Sequence, residues 1–238
     1  MSFLNPSLER SRICHELQTR SRVLIKDALQ PQFAEALRTS VQQQSNWEQV
    51  FLVDANNPPR RVPVDPARAV PAQQQAEIDQ QILAQARNGY QFSYHRYSIL
   101  EAVLRGMDEN NFMHTFLHYL NSQEFIEFTH DITGDRQIRK CDAQACWYAP
   151  GQFLRLHQDK NPVGEDRRYA YVMGLTKSWQ SDWGGQLQFV SEGEITETFT
   201  PSFNVLTIFK VPQDHQVSVV APYATAPRLT VTGWMRAD

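Results

Sequence analysis

Cysteine is scarce in this chain: Cys14, Cys141 and Cys146 are all there is. An odd, sparse set excludes a disulfide framework and fits a reducing cytosol. Cys141 and Cys146 have no second pair to complete a zinc site, so they read as ordinary thiols packed as small hydrophobes. Positive charge is not in excess either: 23 Lys and Arg face 26 Asp and Glu, for a net charge of −3. That balance gives no pull toward DNA, RNA or an acidic membrane surface. No apolar run is long enough to span a bilayer, and the opening MSFLNPSLERSRICHELQ has no apolar stretch of signal-peptide length. The expectation is a cytoplasmic protein with neither nucleic-acid nor membrane partner. Repeats are lacking, and Gln42 to Gln44 are too short a tract for a low-complexity role.

What is present suits one structural domain. The 238 residues are 41% hydrophobic, enough for a packed core. The first ~50 residues look helical. Pro31 can open a helix, and Phe33, Leu37 and Val41 then recur on one face. Residues 54–71 change character, with five prolines marking an extended loop. Arg60 and Arg61 sit there, either solvated or in a lid over a ligand. A helix is expected at 72–88, ended by Asn88-Gly89, and then a strand carrying Tyr90, Phe92, Tyr94 and Tyr97. Two helices fit 110–134, with Asn121 and Glu124 resembling a capping box.

After about residue 138 short β-rich runs alternate with turns: 143–148, 153–157, 169–175, 186–190, 204–209, 216–220 and 229–235. Seven or eight strands in 100 residues read as a sandwich or barrel. The expected fold class is α+β: a helical N-terminal support region over 1–137, with its Pro-rich loop and one or more added strands, then a jelly-roll barrel over 138–238.

The chemistry gathers in that second half. His157 and Asp159 are two apart at a strand end, where i and i+2 side chains point the same way. His215 opens another strand. Two histidines and one carboxylate on one face of an ion leave coordination positions open, which is the ligand set of non-haem Fe(II) oxygenases. An HxD pair alone is a weak signal, more often a polar turn with a hydrogen-bonded histidine. On the strand from Pro227 to Trp234, Arg228 and Thr230 share a face. An arginine pointing into a barrel needs an anionic partner, because an unpaired buried charge is costly. A guanidinium suits a carboxylate in bidentate fashion.

Other residues carry plainer readings. Trp183-Gly184-Gly185 reads as a tight turn and Asn204 as a turn-stabilising residue. His114 and His118 are four apart on a helix but lack further ligands for a zinc site. Arg167 and Arg168 read as a solvated strand edge ahead of a substrate-steering patch.

Taken together, Tyr148-Ala-Pro-Gly-Gln-Phe-Leu-Arg-Leu-His157-Gln-Asp159, Arg167-Arg168-Tyr-Ala-Tyr, Trp183-Gly-Gly-Gln-Leu, Pro201-Ser-Phe-Asn204, His215-Gln-Val and Arg228-Leu-Thr-Val-Thr-Gly233-Trp234 resemble the prolyl 4-hydroxylase-like branch of the 2-oxoglutarate/Fe(II) dioxygenases. The likeness runs from about Lys140 to Arg236. It departs in a longer stretch, VAPYATAP, between His215 and Arg228. The resemblance implies a double-stranded β-helix (a cupin-like jelly roll). It implies iron held by His157, Asp159 and His215, with Arg228 clamping the far carboxylate of 2-oxoglutarate. Tyr148 and Thr230 would donate to that carboxylate, and Trp234 would line the pocket. O₂ is the oxidant, ascorbate a possible helper, and the expected target a prolyl residue in a peptide or protein. A free amino acid is the small-molecule alternative, and a non-catalytic cupin-like binding module the alternative of another class. A nucleic-acid demethylase of the same superfamily is disfavoured, because Trp234 stands where such enzymes carry a second arginine and the net charge is wrong.

Overall fold

The computed structural model describes residues 2–54, 57–160 and 164–238. The elements in chain order are α1 (Arg10–Arg20), β1 (Arg22–Lys26), α2 (Pro31–Gln43), β2 (Glu48–Phe51), β3 (Arg60–Pro63), α3 (Ala72–Asn88), β4 (Phe92–Tyr97), α4 (Ile99–Leu104), α5 (Phe112–Leu120) and α6 (Gln123–Thr133). Then come β5 (Lys140–Cys141), β6 (Gln144–Tyr148), β7 (Phe153–His157), β8 (Arg167–Leu175), β9 (Leu187–Ser191), β10 (Glu194–Phe199), β11 (Phe203–Lys210), β12 (His215–Val217) and β13 (Arg228–Arg236).

The strands join in the order β1-β11-β8-β13-β6-β4-β7-β12-β9-β10. The sheet is antiparallel and curls into a half-barrel, the double-stranded β-helix arrangement. Strands β11, β8, β13 and β6 make one wall, and β7, β12, β9 and β10 the other. Side chains from both walls line one cavity. Strand β4 bridges them, pairing Arg96 with Cys146 on β6 and Phe92 with Leu154 on β7.

The N-terminal region is less helical than its sequence suggests, because β1 and β2 interrupt it. In Arg-Val-Leu-Ile-Lys, Val23 and Ile25 alternate inward, a period of two that is easily lost between helices. Strand β1 pairs with β11 in the register Val23↔Ile208. Helix α2 buries Ala34, Leu37 and Val41, and Phe3 stacks between Phe33 and Tyr119 at 4.2 and 4.3 Å. The helices thus cover one wall of the barrel and leave the other exposed around the cavity mouth.

Two local expectations are corrected. The cap of α6 is Ser122, whose hydroxyl accepts from the Phe125 amide at 3.3 Å, one residue later than Asn121. Asn121 instead bridges to β5, accepting from the Cys141 amide at 2.9 Å and donating to its carbonyl at 2.8 Å. The Pro-rich segment 54–71 is not all loop: β3 lies within it and pairs with β2. Arg61 there bonds Glu101 at 2.8 Å, which ties the hairpin to α4.

Candidate active site

The site begins with a strand pairing. His157 ends β7 and His215 opens β12, and the two residues are direct partners in the antiparallel register. Side chains of such partners emerge side by side, and the two rings lie 4.2 Å apart. Asp159 follows β7 by two residues, and its carboxylate is buried between them. One oxygen is 3.4 Å from His157 Nε2 and the other 3.4 Å from His215 Nε2. The ligand atoms of all three lie within 4.8 Å of one another.

Backbone carbonyls aim the imidazoles. His157 Nδ1 is 2.9 Å from the Arg155 carbonyl, and His215 Nδ1 is 2.8 Å from the Gln213 carbonyl. A carbonyl only accepts, so each Nδ1 carries the proton and each neutral ring turns an Nε2 lone pair inward. Two lone pairs and a carboxylate converging on one point call for a cation. Burial opposes a charged Asp159, yet the adjoining imidazoles hold its carboxyl below its ordinary value of 3.8. Burial, reinforced by His157, pushes His215 below 6.5. Both shifts keep the donors in the form that binds a metal.

The other end of the cavity is built by β13 on β6. Arg228 pairs with Tyr148 in register, Thr230 with Cys146 and Thr232 with Gln144. Alternation along β13 turns Arg228, Thr230, Thr232 and Trp234 into the cavity. The Arg228 guanidinium lies 4.9 Å from the Tyr148 ring, in cation–π range. Arg228 is only 5% exposed, and burial pulls it below its ordinary pKa, though an arginine stays charged. Among the described residues no carboxylate lies within ion-pair distance of it. The Thr232 hydroxyl donates to the Tyr171 carbonyl at 2.7 Å, whereas the Thr230 hydroxyl lies beside the Cys146 thiol, on the same face of β13 as Arg228.

The cavity, about 330 Å³, gathers His157, Asp159, His215, Tyr148, Arg228, Thr230 and Trp234. Sequence reasoning missed several of its other walls. Tyr94 stacks on Tyr148 at 5.0 Å, and Phe92 on β4 and Tyr90 just before it continue the aromatic surface. The alternating aromatics were visible in the sequence. Their destination depends on the insertion of β4 between β6 and β7, which no local signal records. Arg167 is a second correction. Rather than lying on a solvated edge, it stacks over the Trp234 ring at 3.6 Å and pairs with Glu165 at 2.7 Å, while Arg168 pairs with Asp135 outside the cavity. His114 serves the structure, with Nε2 3.0 Å from the Tyr97 hydroxyl.

A sequence model of the 2OG-Fe(II) oxygenase superfamily matches residues 143–236. The mouse protein named prolyl 3-hydroxylase OGFOD1 is 30% identical over 126 residues, covering 50% of this chain and 22% of that protein. The chain therefore spans under a quarter of that relative's length. Among solved structures, a 2OG-Fe(II) oxygenase-family oxidoreductase from Burkholderia pseudomallei superposes with a TM-score of 0.63 at 15% identity, covering 100% of this chain and 97% of that one. A Trichoplax adhaerens prolyl hydroxylase, solved with a hypoxia inducible factor peptide fragment, gives 0.59 at 17% identity, covering 96% and 89%. At these identities the two structures speak for the fold, and the sequence model speaks for the family. No helix is long and apolar enough to cross a membrane. The matched segment holds the whole His-Asp-His group, a set that together with the family implies Fe(II) and 2-oxoglutarate. Residues 143–236 thus match the 2OG-Fe(II) oxygenase superfamily, and the chain is similar to a protein named as a prolyl hydroxylase.

Proposed function

We propose that this chain hydroxylates an unactivated C–H bond, with a prolyl residue in a peptide or protein as its target. The observation that carries the reading is the pairing of two ends in one cavity. A two-histidine, one-carboxylate donor set shares that cavity with a buried arginine that has, among the described residues, no carboxylate within ion-pair distance. The first suits Fe(II) with open positions, and the second suits the far carboxylate of 2-oxoglutarate. Those residues fit both groups on their own chemistry.

In this reading His157, Asp159 and His215 hold the iron. Arg228 clamps the co-substrate, with Tyr148 and Thr230 beside it as hydroxyl donors. Bound together, iron and 2-oxoglutarate supply oxygen activation: O₂ and 2-oxoglutarate are consumed, the C–H becomes C–OH, and succinate and CO₂ leave. The protein's own part is orientation. The carbonyls of Arg155 and Gln213 keep both Nε2 atoms facing the ion. Tyr148 and Tyr94 floor the Arg228 end with aromatic surface and exclude water there, which strengthens the ion pair. Trp234, under Arg167, closes the side between the two ends. The free cysteines suit a cytoplasmic setting. The names of the mouse and Trichoplax relatives support a prolyl target, and the peptide in the latter structure supports a peptide substrate.

The test is succinate formation by anaerobically purified protein given Fe(II), 2-oxoglutarate and air, beside His157→Ala. Turnover in the parent is expected, with at least about a hundredfold loss in the variant, as befits removal of a metal ligand. Binding of neither iron nor 2-oxoglutarate would sink the reading and favour a cupin-like module. Turnover on free amino acids but on no peptide would move the substrate to the small-molecule class.

A further inference from the structure

Tyr90 has no part in the reading above. It lies between the end of α3 and the start of β4, 46% exposed, at the cavity mouth beside Pro59. Its ring is 5.5 Å from that of His157 and 5.8 Å from that of Phe92. A large aromatic surface normally finds its place inside a core. Here it stands open on the flank of a metal-donor imidazole.

The position is built rather than incidental. Arg155, on β7 two residues before His157, donates from its guanidinium to the carbonyls of Ala86 and Gly89 at the end of α3. Its amide donates to the Gln91 carbonyl at 3.0 Å, and its own carbonyl is the one that orients His157. One residue therefore grips both the imidazole and the segment that carries Tyr90. Below Tyr90 the rings continue through Phe92 and Tyr94 to Tyr148, so the mouth opens onto an aromatic wall that descends to Arg228.

We infer that Tyr90, held in place by Arg155, is a substrate-positioning residue whose ring face packs against the target ring of a prolyl peptide on the His157 side of the metal site. The inference rests on the hydroxylase reading. Its chemistry is that of proline recognition elsewhere: a rigid, apolar pyrrolidine in an extended chain docks on aromatic surface at small entropic cost. A tyrosine with two side-chain torsions is an economical wall.

The experiment uses the full chain and a peptide library in which each member has one central proline between randomised positions. With Fe(II), 2-oxoglutarate and air, the mass gain of one oxygen selects the best substrate. A fluorescently labelled copy then reports binding by anisotropy under nitrogen, without iron. Tyr90→Ala is expected to weaken that binding and raise the peptide KM by roughly tenfold, the size of losing one aromatic contact. It also lowers hydroxylated product per succinate, because the target carbon is less well held. Tyr90→Phe keeps the ring and stays within about twofold. Arg155→Ala moves both readouts in the same direction by less, roughly threefold. Unchanged peptide affinity and coupling in Tyr90→Ala would overturn the inference, as would an equal loss of metal affinity in all three variants, which marks mere support of His157. A parent that forms succinate but hydroxylates no library member would overturn the prolyl target and this inference with it. A parent that forms no succinate and binds no 2-oxoglutarate would overturn the hydroxylase reading itself.

Discussion

The two ends of the cavity solve opposite problems. At the β7–β12 end, Asp159 sits between two imidazoles, a donor set that a proton can bridge when no cation is there. At the β13–β6 end, Arg228 is buried against the Tyr148 ring, with no carboxylate within ion-pair distance among the described residues. The first end can take up a proton in place of its ion, whereas the second has no such recourse and is held in place at a cost. That difference teaches where ligand binding and folding are coupled. An isolated buried charge costs several kcal/mol even after relaxation, so the arginine end stores free energy that a carboxylate releases. The largest test removes the charge and keeps the volume. Arg228→Met should lower 2-oxoglutarate affinity about a hundredfold to a thousandfold, the cost of breaking a desolvated pair. It should also stabilise the ligand-free protein by about 1–3 kcal/mol. Denaturant midpoints with and without 2-oxoglutarate check both: the co-substrate should raise the parent's midpoint by linkage and leave the variant's unmoved. A variant less stable than the parent would mean that Arg228 is compensated by contacts with the protein.

The same contrast governs how much could be read from sequence. The β13 end was legible in part because alternation along one strand decides which side chains share a face: Arg228 and Thr230 sit two apart, whereas Trp234 was placed by resemblance. His157 and Asp159 were legible for the same reason. His215 is distant in sequence, and its register against His157 is a product of the whole barrel, so it was placed by resemblance. Tyr90, Phe92 and Tyr94 showed their strand period, but nothing local says that β4 enters between β6 and β7. Arg167 was misread because a cation at a strand start looks solvated until Trp234 is placed beneath it. In the N-terminal region β1 was hidden because five alternating residues between two helices are too few to stand out.

Protons distinguish the ends further. The arginine end does not titrate in the working range, so 2-oxoglutarate clamping should be flat from pH 6 to 9. The metal end does titrate. The folded pKa of His215 lies below its ordinary 6.5, so below that pH the unfolded chain binds more protons than the native one and stability falls. A bound divalent ion competes with those protons and should hold off the fall. His95 offers the comparison, an imidazole with no metal to protect it. It lies on β4, on the face turned away from the cavity, edge-on to Trp147 at 5.7 Å, and burial lowers its pKa to about 4. The sign is the same: full stability above pH 6.5, progressive loss down to about 4, reaching about 3 kcal/mol at roughly 1.4 kcal/mol per unit. Unfolding of the parent and of His95→Phe, each with and without Co(II), separates the two. The variant should flatten one part of the pH profile and the metal another. A parent profile flat between pH 6.5 and 4 would refute both.

The smallest effect asks whether the ends are mechanically independent. Gly185 closes the Trp183-Gly184-Gly185 turn with φ +61°, and a Cβ there would lie 3.0 Å from Trp179 Cζ2, 3.2 Å from Val220 Cγ2 and 3.5 Å from Arg228 Cδ. The glycine thus serves both a left-handed backbone and the seat of the arginine's aliphatic stem. Gly185→Ala adds about 1 kcal/mol of backbone strain and presses on Trp179 and Val220, which pack in the same cluster as the Tyr148 ring that Arg228 rests on. Gly193 is the control, since its φ is +84° but nothing lies within 4 Å of its Cβ position, so Gly193→Ala carries the strain alone. Gly185→Ala is expected to weaken 2-oxoglutarate binding by roughly tenfold, as a misplaced charged contact does, while Gly193→Ala leaves it within about twofold and both keep the parent's metal affinity. Equal losses at the two glycines would reduce the effect to global strain. A parallel loss of metal affinity in Gly185→Ala would join the two ends into one unit, because the turn also packs on the strand segment that follows His215: Gly185 donates to the Val219 carbonyl at 3.4 Å, and a push on Val220 could reach β12. The ratio of the two affinity changes in that one variant therefore decides whether the cavity is one device or two.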